Sequence, residues 1–172
     1  MKPRNLVLVG MSGAGKSRVG RLVAERLRWR FIDTDAEIER ATGRAVPEIF
    51  AADGEPRFRA IERDVVARVT RRRGAVIATG GGAILDPVSR DALFTSNLVV
   101  CLQASAEQIA DRLARSRERR PLLEGADPLA AIRALQEQRA PLYALAHCTV
   151  TTDDRTLGEV AAEVIDILRA YR

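Results

Sequence analysis

The amino-acid sequence predicts an α/β fold, a three-layer sandwich around a five-stranded parallel sheet, and three observations carry that prediction. Short apolar runs such as Leu6-Val7-Leu8-Val9 show no polar alternation, as expected of strands covered on both faces. These runs alternate with longer stretches whose apolar residues recur three and four apart, and such alternation builds a parallel sheet with helices on either side. The 172 residues fit one domain over 1–172, since no repeat, linker or low-complexity stretch divides them.

The elements follow in order. Leu6 to Val9 is the first strand, and after a glycine-rich loop Val19, Leu22, Val23 and Leu27 fall on one helical face. Phe31-Ile32 reads as the second strand, with Thr34 and Glu37 at capping-box spacing for a helix starting there. Glu55 to Val69 reads as a long helix and Ala75-Val76-Ile77-Ala78 as the third strand. Leu98 to Leu102 is the fourth, and Ser105 with Gln108 caps the helix after it. The segment of about 112–125 is charged, weakly periodic and carries Pro121 and Gly125; it is either a solvated loop or a mobile lid over a ligand. Pro128 to Ala146 is helical with an interruption at Pro141, and Cys148-Thr149-Val150 is the last strand. Thr156 and Glu159 repeat the capping box before Val160, Val164, Ile165 and Leu168.

Composition narrows the function classes. The formal charge is +5, from 26 arginines, only two lysines (Lys2 and Lys16), and 23 acidic residues. That excess raises a nucleic-acid reading, for which Arg71-Arg72-Arg73 and the arginines from Arg115 to Arg120 are the available clusters. Neither lies on a groove-reading helix, and with aromatics at 4% no base-stacking platform accompanies them, so no nucleic-acid partner is expected. No apolar run approaches the roughly 18 residues of a membrane span, and the N-terminus does not read as a signal peptide. Cys101 and Cys148 form no CxxC pair, consistent with a reducing cytoplasm, and the lone His147 excludes His-rich zinc sites. A cytoplasmic monomer is expected.

Gly10-Met11-Ser12-Gly13-Ala14-Gly15-Lys16-Ser17 matches G-x-x-x-x-G-K-[ST] between a strand and a helix. Its glycines let successive N–H groups turn inward around a phosphate, and the helix N-terminus adds a favourable dipole. Lys16 reaches the β- and γ-phosphates and the Ser17 hydroxyl can ligate Mg²⁺. Gly13, Ala14, Gly15, Lys16, Ser17 and the adjoining Arg18 are therefore the candidate nucleoside-triphosphate-binding group.

Asp33-Thr34-Asp35 ends the second strand, where α/β sheets place ligands. One carboxylate can hold Mg²⁺ through water and the other can hydrogen-bond an acceptor hydroxyl; a plain acidic first helical turn is the alternative. Arg59 and Glu62 share a helix face, either as a carboxylate fork with its orienting partner or as a surface ion pair. Gly80-Gly81-Gly82 after the third strand admits backbone N–H groups close to a ligand.

Taken together, the phosphate loop, FxDxD at Phe31 to Asp35, FRxxE at Phe58 to Glu62, ATGGG at Ala78 to Gly82, RPLL at Arg120 to Leu123 and RAPLY at Arg139 to Tyr143 resemble the shikimate kinase family. The resemblance runs in order over about residues 5–155. It implies a P-loop kinase architecture with a mobile lid, ATP and shikimate as the partners, Mg²⁺ as cofactor, and transfer of the γ-phosphoryl group to the shikimate 3-hydroxyl. It implies that Ser17 and Asp33 serve the metal. Asp35, Arg59, Gly80, Gly81, Gly82 and Arg139 would bind shikimate, chiefly within a region of about 33–62. Lys16, Asp35 and Arg120 would be catalytic, Arg120 closing on the phosphates from the lid. Arg115 and Arg117 are both candidates to face adenine, and Arg155 resembles the adenine-stacking position. Rival readings are another small-molecule kinase, acting on gluconate or a nucleotide, and a kinase-like sensor or nucleic-acid-binding module without catalysis.

Overall fold

The computed structural model describes residues 3–115 and 127–171. Its elements are β1 (Leu6–Val9), α1 (Lys16–Leu27), β2 (Arg30–Asp33), α2 (Thr34–Thr42), α3 (Val46–Thr70), β3 (Ala75–Ala78), α4 (Pro87–Phe94), β4 (Leu98–Gln103), α5 (Ala106–Ala114), α6 (Pro128–Tyr143), β5 (Cys148–Thr151) and α7 (Leu157–Ala170). The five strands pair in parallel in the order β2-β3-β1-β4-β5.

Both faces of the sheet are covered, which is why its strands carry no polar alternation. On one face Val19 and Val23 of α1 and Val160, Val164 and Ile165 of α7 pack on Leu6, Leu8, Leu98 and Val100. On the other, Ile49, Phe58, Val65 and Val69 of α3 and Leu93 of α4 cover Val7, Val9, Ile77 and Val99. Ile109 of α5 and Ile132 of α6 close a smaller cluster around Met11. Each fully buried aliphatic side chain of this kind contributes about 1.5–3 kcal/mol.

The chain leaving β1 travels past β3 to β2, while the chain leaving β3 travels past β1 to β4. The two connections diverge, and a crevice opens at the carboxyl ends of these neighbouring strands. No helix among the described residues is long and apolar enough to cross a membrane.

Four local features differ from the sequence expectation. Asp33, not Thr34, caps α2: its Oδ1 accepts from the N–H groups of Asp35 (3.0 Å) and Ala36 (3.4 Å). The Thr34 hydroxyl is instead turned to β3, where it accepts from Gly80 N–H at 2.9 Å. The long helix read from Glu55 is present, but a further helical stretch from Val46 precedes it within α3; the two meet at Gly54, whose φ of 76° and ψ of 171° only glycine adopts readily, with Pro56 just beyond the break. Helix α4 is an additional element, opened by an Asp86 side chain that accepts from Ser89 N–H at 2.8 Å. Arg112 to Ala114 complete α5, with Arg115 as its C-cap, rather than starting a lid; 116–125, with Arg117 and Arg120, lie outside the described residues.

Candidate active site

The crevice is a cleft of about 580 Å³ lined by Gly13 to Arg18, Asp33, Asp35, Gly80, Gly81, Arg112 and Arg155, among others. The phosphate loop forms its floor. Gly15 stands at the N-terminus of α1 with φ 94°, and Gly10 leaves β1 with φ 135°. A methyl group on Gly10 would lie 2.3 Å from the Leu102 carbonyl oxygen, so that position tolerates no side chain. Lys16 is 7% exposed and its ammonium donates to the Gly10 and Met11 carbonyls, both at 2.8 Å, so its charge sits inside the ring of the loop.

Ser17 and Asp33 meet across the cleft, the Ser17 hydroxyl donating to Asp33 Oδ2 at 2.6 Å. Since Asp33 Oδ1 caps α2, the carboxylate is held from both sides. A hydroxyl and a carboxylate this close are hard oxygen donors, the chemistry Mg²⁺ takes when it keeps several waters and adds substrate phosphates. Among the described residues no cluster of three His, Cys, Asp or Glu side chains forms an all-protein metal cage.

The glycine turn after β3 is the hub of the opposite wall. A methyl group on Gly80 would lie 2.7 Å from Asp35 Oδ1 and 3.0 Å from Glu62 Oε1, and one on Gly82 would lie 2.3 Å from Arg59 Nη2. Asp35, Glu62, Arg59 and Arg139 therefore converge on three consecutive residues without side chains. The Gly81 and Gly82 N–H groups donate to no other group among the described residues.

The two arginines differ in electrostatics. Arg59 is partnered on both sides, by Glu62 Oε2 at 2.6 Å and Glu55 Oε1 at 2.9 Å. Glu62 is 1% exposed and its Oε1 accepts no hydrogen bond among the described residues. Burial pushes its carboxyl up to about 7, against the pull of the Arg59 guanidinium. Arg139 is 5% exposed and faces no carboxylate within 4.0 Å among the described residues. Its Nη1 donates to the Gly81 carbonyl at 3.3 Å and approaches Met11 Sδ at 4.0 Å, while its Nε finds no acceptor among the described residues. A buried cation in this condition is chemically suited to an anion, because an uncompensated charge out of water is strongly unfavourable.

Of the residues picked from sequence, Gly13 to Arg18, Asp33, Asp35, the glycine turn, Arg59 and Arg139 meet in and beside one cleft. Arg155 lines it too, tied to Glu163 at 2.5 Å and to the Thr151 carbonyl at 3.1 Å. Arg115 lines the rim, paired with Asp111 at 2.9 Å. Sequence reasoning missed Arg112, which bridges the Gly13 carbonyl (3.3 Å) to Thr152 Oγ1 (3.0 Å) and so ties the phosphate loop to the β5–α7 connection. It was hidden because the charged run around it reads as a loop. Thr34 and Tyr143, whose hydroxyl donates to the Gly81 carbonyl at 2.7 Å, were also missed; each sits inside a motif whose charged members draw the attention.

Comparison with known proteins places this geometry. A family model described as shikimate kinase matches residues 12–169. A shikimate kinase from Symbiobacterium thermophilum is 48% identical over 167 residues, 96% of either chain. The structure of a shikimate kinase from Acinetobacter baumannii in complex with shikimate matches with a TM-score of 0.93 at 39% identity, over 99% of this chain and 94% of that one. A gluconokinase from Sinorhizobium meliloti 1021 matches with a TM-score of 0.65 at 20% identity, over 98% and 93% of the two chains, a likeness of fold alone.

Proposed function

Because the chain belongs to the shikimate kinase family, it transfers a phosphoryl group from ATP to shikimate, and we propose that it does so with ATP on the phosphate loop and shikimate against the glycine turn. The observation that carries the reading is Arg139, a buried guanidinium that no carboxylate among the described residues meets, beside two backbone N–H groups unused among those residues. The shikimate carboxylate supplies the missing anion. Arg59, held by Glu55 and Glu62, forms the other arm of the clamp.

Phosphoryl transfer asks the protein for positioning and charge neutralisation rather than covalent chemistry. With the carboxylate clamped, Asp35 orients the attacking 3-hydroxyl and takes its proton. Lys16 moves from the loop carbonyls to the β- and γ-phosphates. Gly13, Ala14, Gly15 and Arg18 complete the phosphate and nucleotide contacts, with Arg112 and Arg155 beside them on the far wall of the cleft. Ser17 and Asp33 would hold Mg²⁺, which when bound neutralises phosphate charge. The family resemblance assigns Arg120, outside the described residues, to the phosphates as well.

The test is ADP release with ATP and, in turn, shikimate, gluconate and a nucleoside monophosphate, with Lys16→Met as control. Turnover confined to shikimate, and lost in the control, is expected. Preference for gluconate or a nucleotide would overturn the acceptor assignment.

A further inference from the structure

Tyr143, near the end of α6, donates its hydroxyl to the Gly81 carbonyl at 2.7 Å, and Arg139 Nη1 reaches the same oxygen at 3.3 Å. No peptide bond is cis among the described residues, so the Gly81 carbonyl and the Gly82 N–H point in opposite directions across one rigid plane. Anchoring the oxygen towards α6 therefore aims the Gly82 N–H away from it. Gly82 is also the residue against which the Arg59 guanidinium lies.

We propose that Tyr143 is a positioning residue for the acceptor: its hydroxyl locks the Gly81–Gly82 peptide so that the Gly82 N–H is presented to shikimate at fixed orientation. The inference rests on the acceptor reading above. The Arg139 bond cannot do this alone. It is long, and the same guanidinium is needed for the substrate carboxylate, so on binding the turn would lose that restraint just when it is required. The Tyr143 bond is short, and its donor is a neutral hydroxyl that the substrate carboxylate does not need. Burial raises the phenol above its ordinary range, so the hydroxyl keeps its proton and remains a donor throughout the neutral range. The ring packs against apolar residues on both sides, among them the clusters of α3 and of Met11, and Tyr143→Phe preserves that packing while removing only the O–H.

The experiment compares wild type with Tyr143→Phe by steady-state kinetics in each substrate, thermal denaturation, and amide spectra of protein labelled with ¹⁵N-glycine. Losing one neutral hydrogen bond in the acceptor site lowers kcat/KM for shikimate about three- to tenfold. The KM for ATP stays within about twofold and the melting temperature close to wild type, while the Gly82 amide resonance moves before any ligand is added. A kcat/KM for shikimate within twofold of wild type overturns the proposal. So does a loss shared equally by ATP with a lowered melting temperature, which would make Tyr143 structural. An unmoved Gly82 amide overturns it even in a variant too unstable for kinetics. Should wild type itself not phosphorylate shikimate, it is the acceptor reading that fails.

Discussion

Replacing Arg139 by methionine should make the unliganded protein more stable and nearly abolish use of the acceptor. The side chain is 5% exposed, faces no carboxylate within 4.0 Å among the described residues, and is held there by neutral groups: the Gly81 carbonyl at 3.3 Å, Met11 Sδ at 4.0 Å and the Tyr143 hydroxyl. Little native bonding is therefore lost with the guanidinium. A buried charge is removed, and exchanging buried ionic groups for apolar ones of similar volume stabilises by about 1–4 kcal/mol. Allowing for the lost carbonyl bond, a net gain of about 1–2 kcal/mol raises the melting temperature by about 2–8 °C in a chain of 172 residues. The effect on the acceptor has the opposite sign. Two charge-assisted bonds to a carboxylate are worth about 1.5–3 kcal/mol each, so kcat/KM for shikimate should fall about 10²- to 10⁴-fold. The assays are thermal denaturation without ligand and ADP release at varied shikimate, with ADP affinity as the check that the phosphate loop is intact. A lowered melting temperature, or a loss under tenfold, would show that Arg139 is compensated in the empty protein and is not the anion site.

Other predictions address the rest of the wall. Asp35→Asn should cut phosphoryl transfer at least about 10²-fold while ADP affinity stays within about twofold, and near-normal turnover would remove Asp35 from proton transfer. Gly82→Ala drives a methyl group onto the Arg59 guanidinium, so the KM for shikimate should rise about tenfold or more with the fold intact; an unchanged KM would place the acceptor elsewhere. The Glu62 carboxyl lies near 7 in the fold against an ordinary 4.5, so the folded state holds this proton more tightly. Its contribution is complete below pH 4.5 and disappears as pH rises through about 7, a span of at most about 3.5 kcal/mol at about 1.4 kcal/mol per pH unit. Glu62→Gln should flatten that slope in urea titrations of the unliganded protein at pH 5 to 8, and parallel profiles would refute it.

Much of this was legible in the sequence, for physical reasons that differ by residue. The phosphate loop could be read because its function is local: consecutive backbone groups wrap a phosphate, so the motif is contiguous. The strands could be read because burial on both faces leaves an unbroken apolar run. Asp33 was found but half understood, since its cap on α2 is indistinguishable by spacing from the box offered by Thr34 and Glu37. Helix α4 is short and was passed over despite Asp86-Pro87, a sound start signal. Arg112 and Tyr143 were missed because their partners are backbone carbonyls from remote segments, and no side-chain pattern reports a carbonyl.

The strand order has a consequence for how the protein is made. β1 carries the phosphate loop and is synthesised first, yet its hydrogen-bonded neighbours are β3 and β4, which arrive only at Ala75–Ala78 and Leu98–Gln103. β2, the next strand to emerge, pairs with β3 and never with β1. During translation the most recognisable stretch of the chain therefore waits, apolar and without a partner strand, until Ala75–Ala78 emerges, and keeps one edge open until Leu98–Gln103 follows. Nascent chains arrested before β4 should be unable to hold nucleotide although every residue of the loop has already been built, and ATP affinity should be acquired in a single late step rather than in proportion to length.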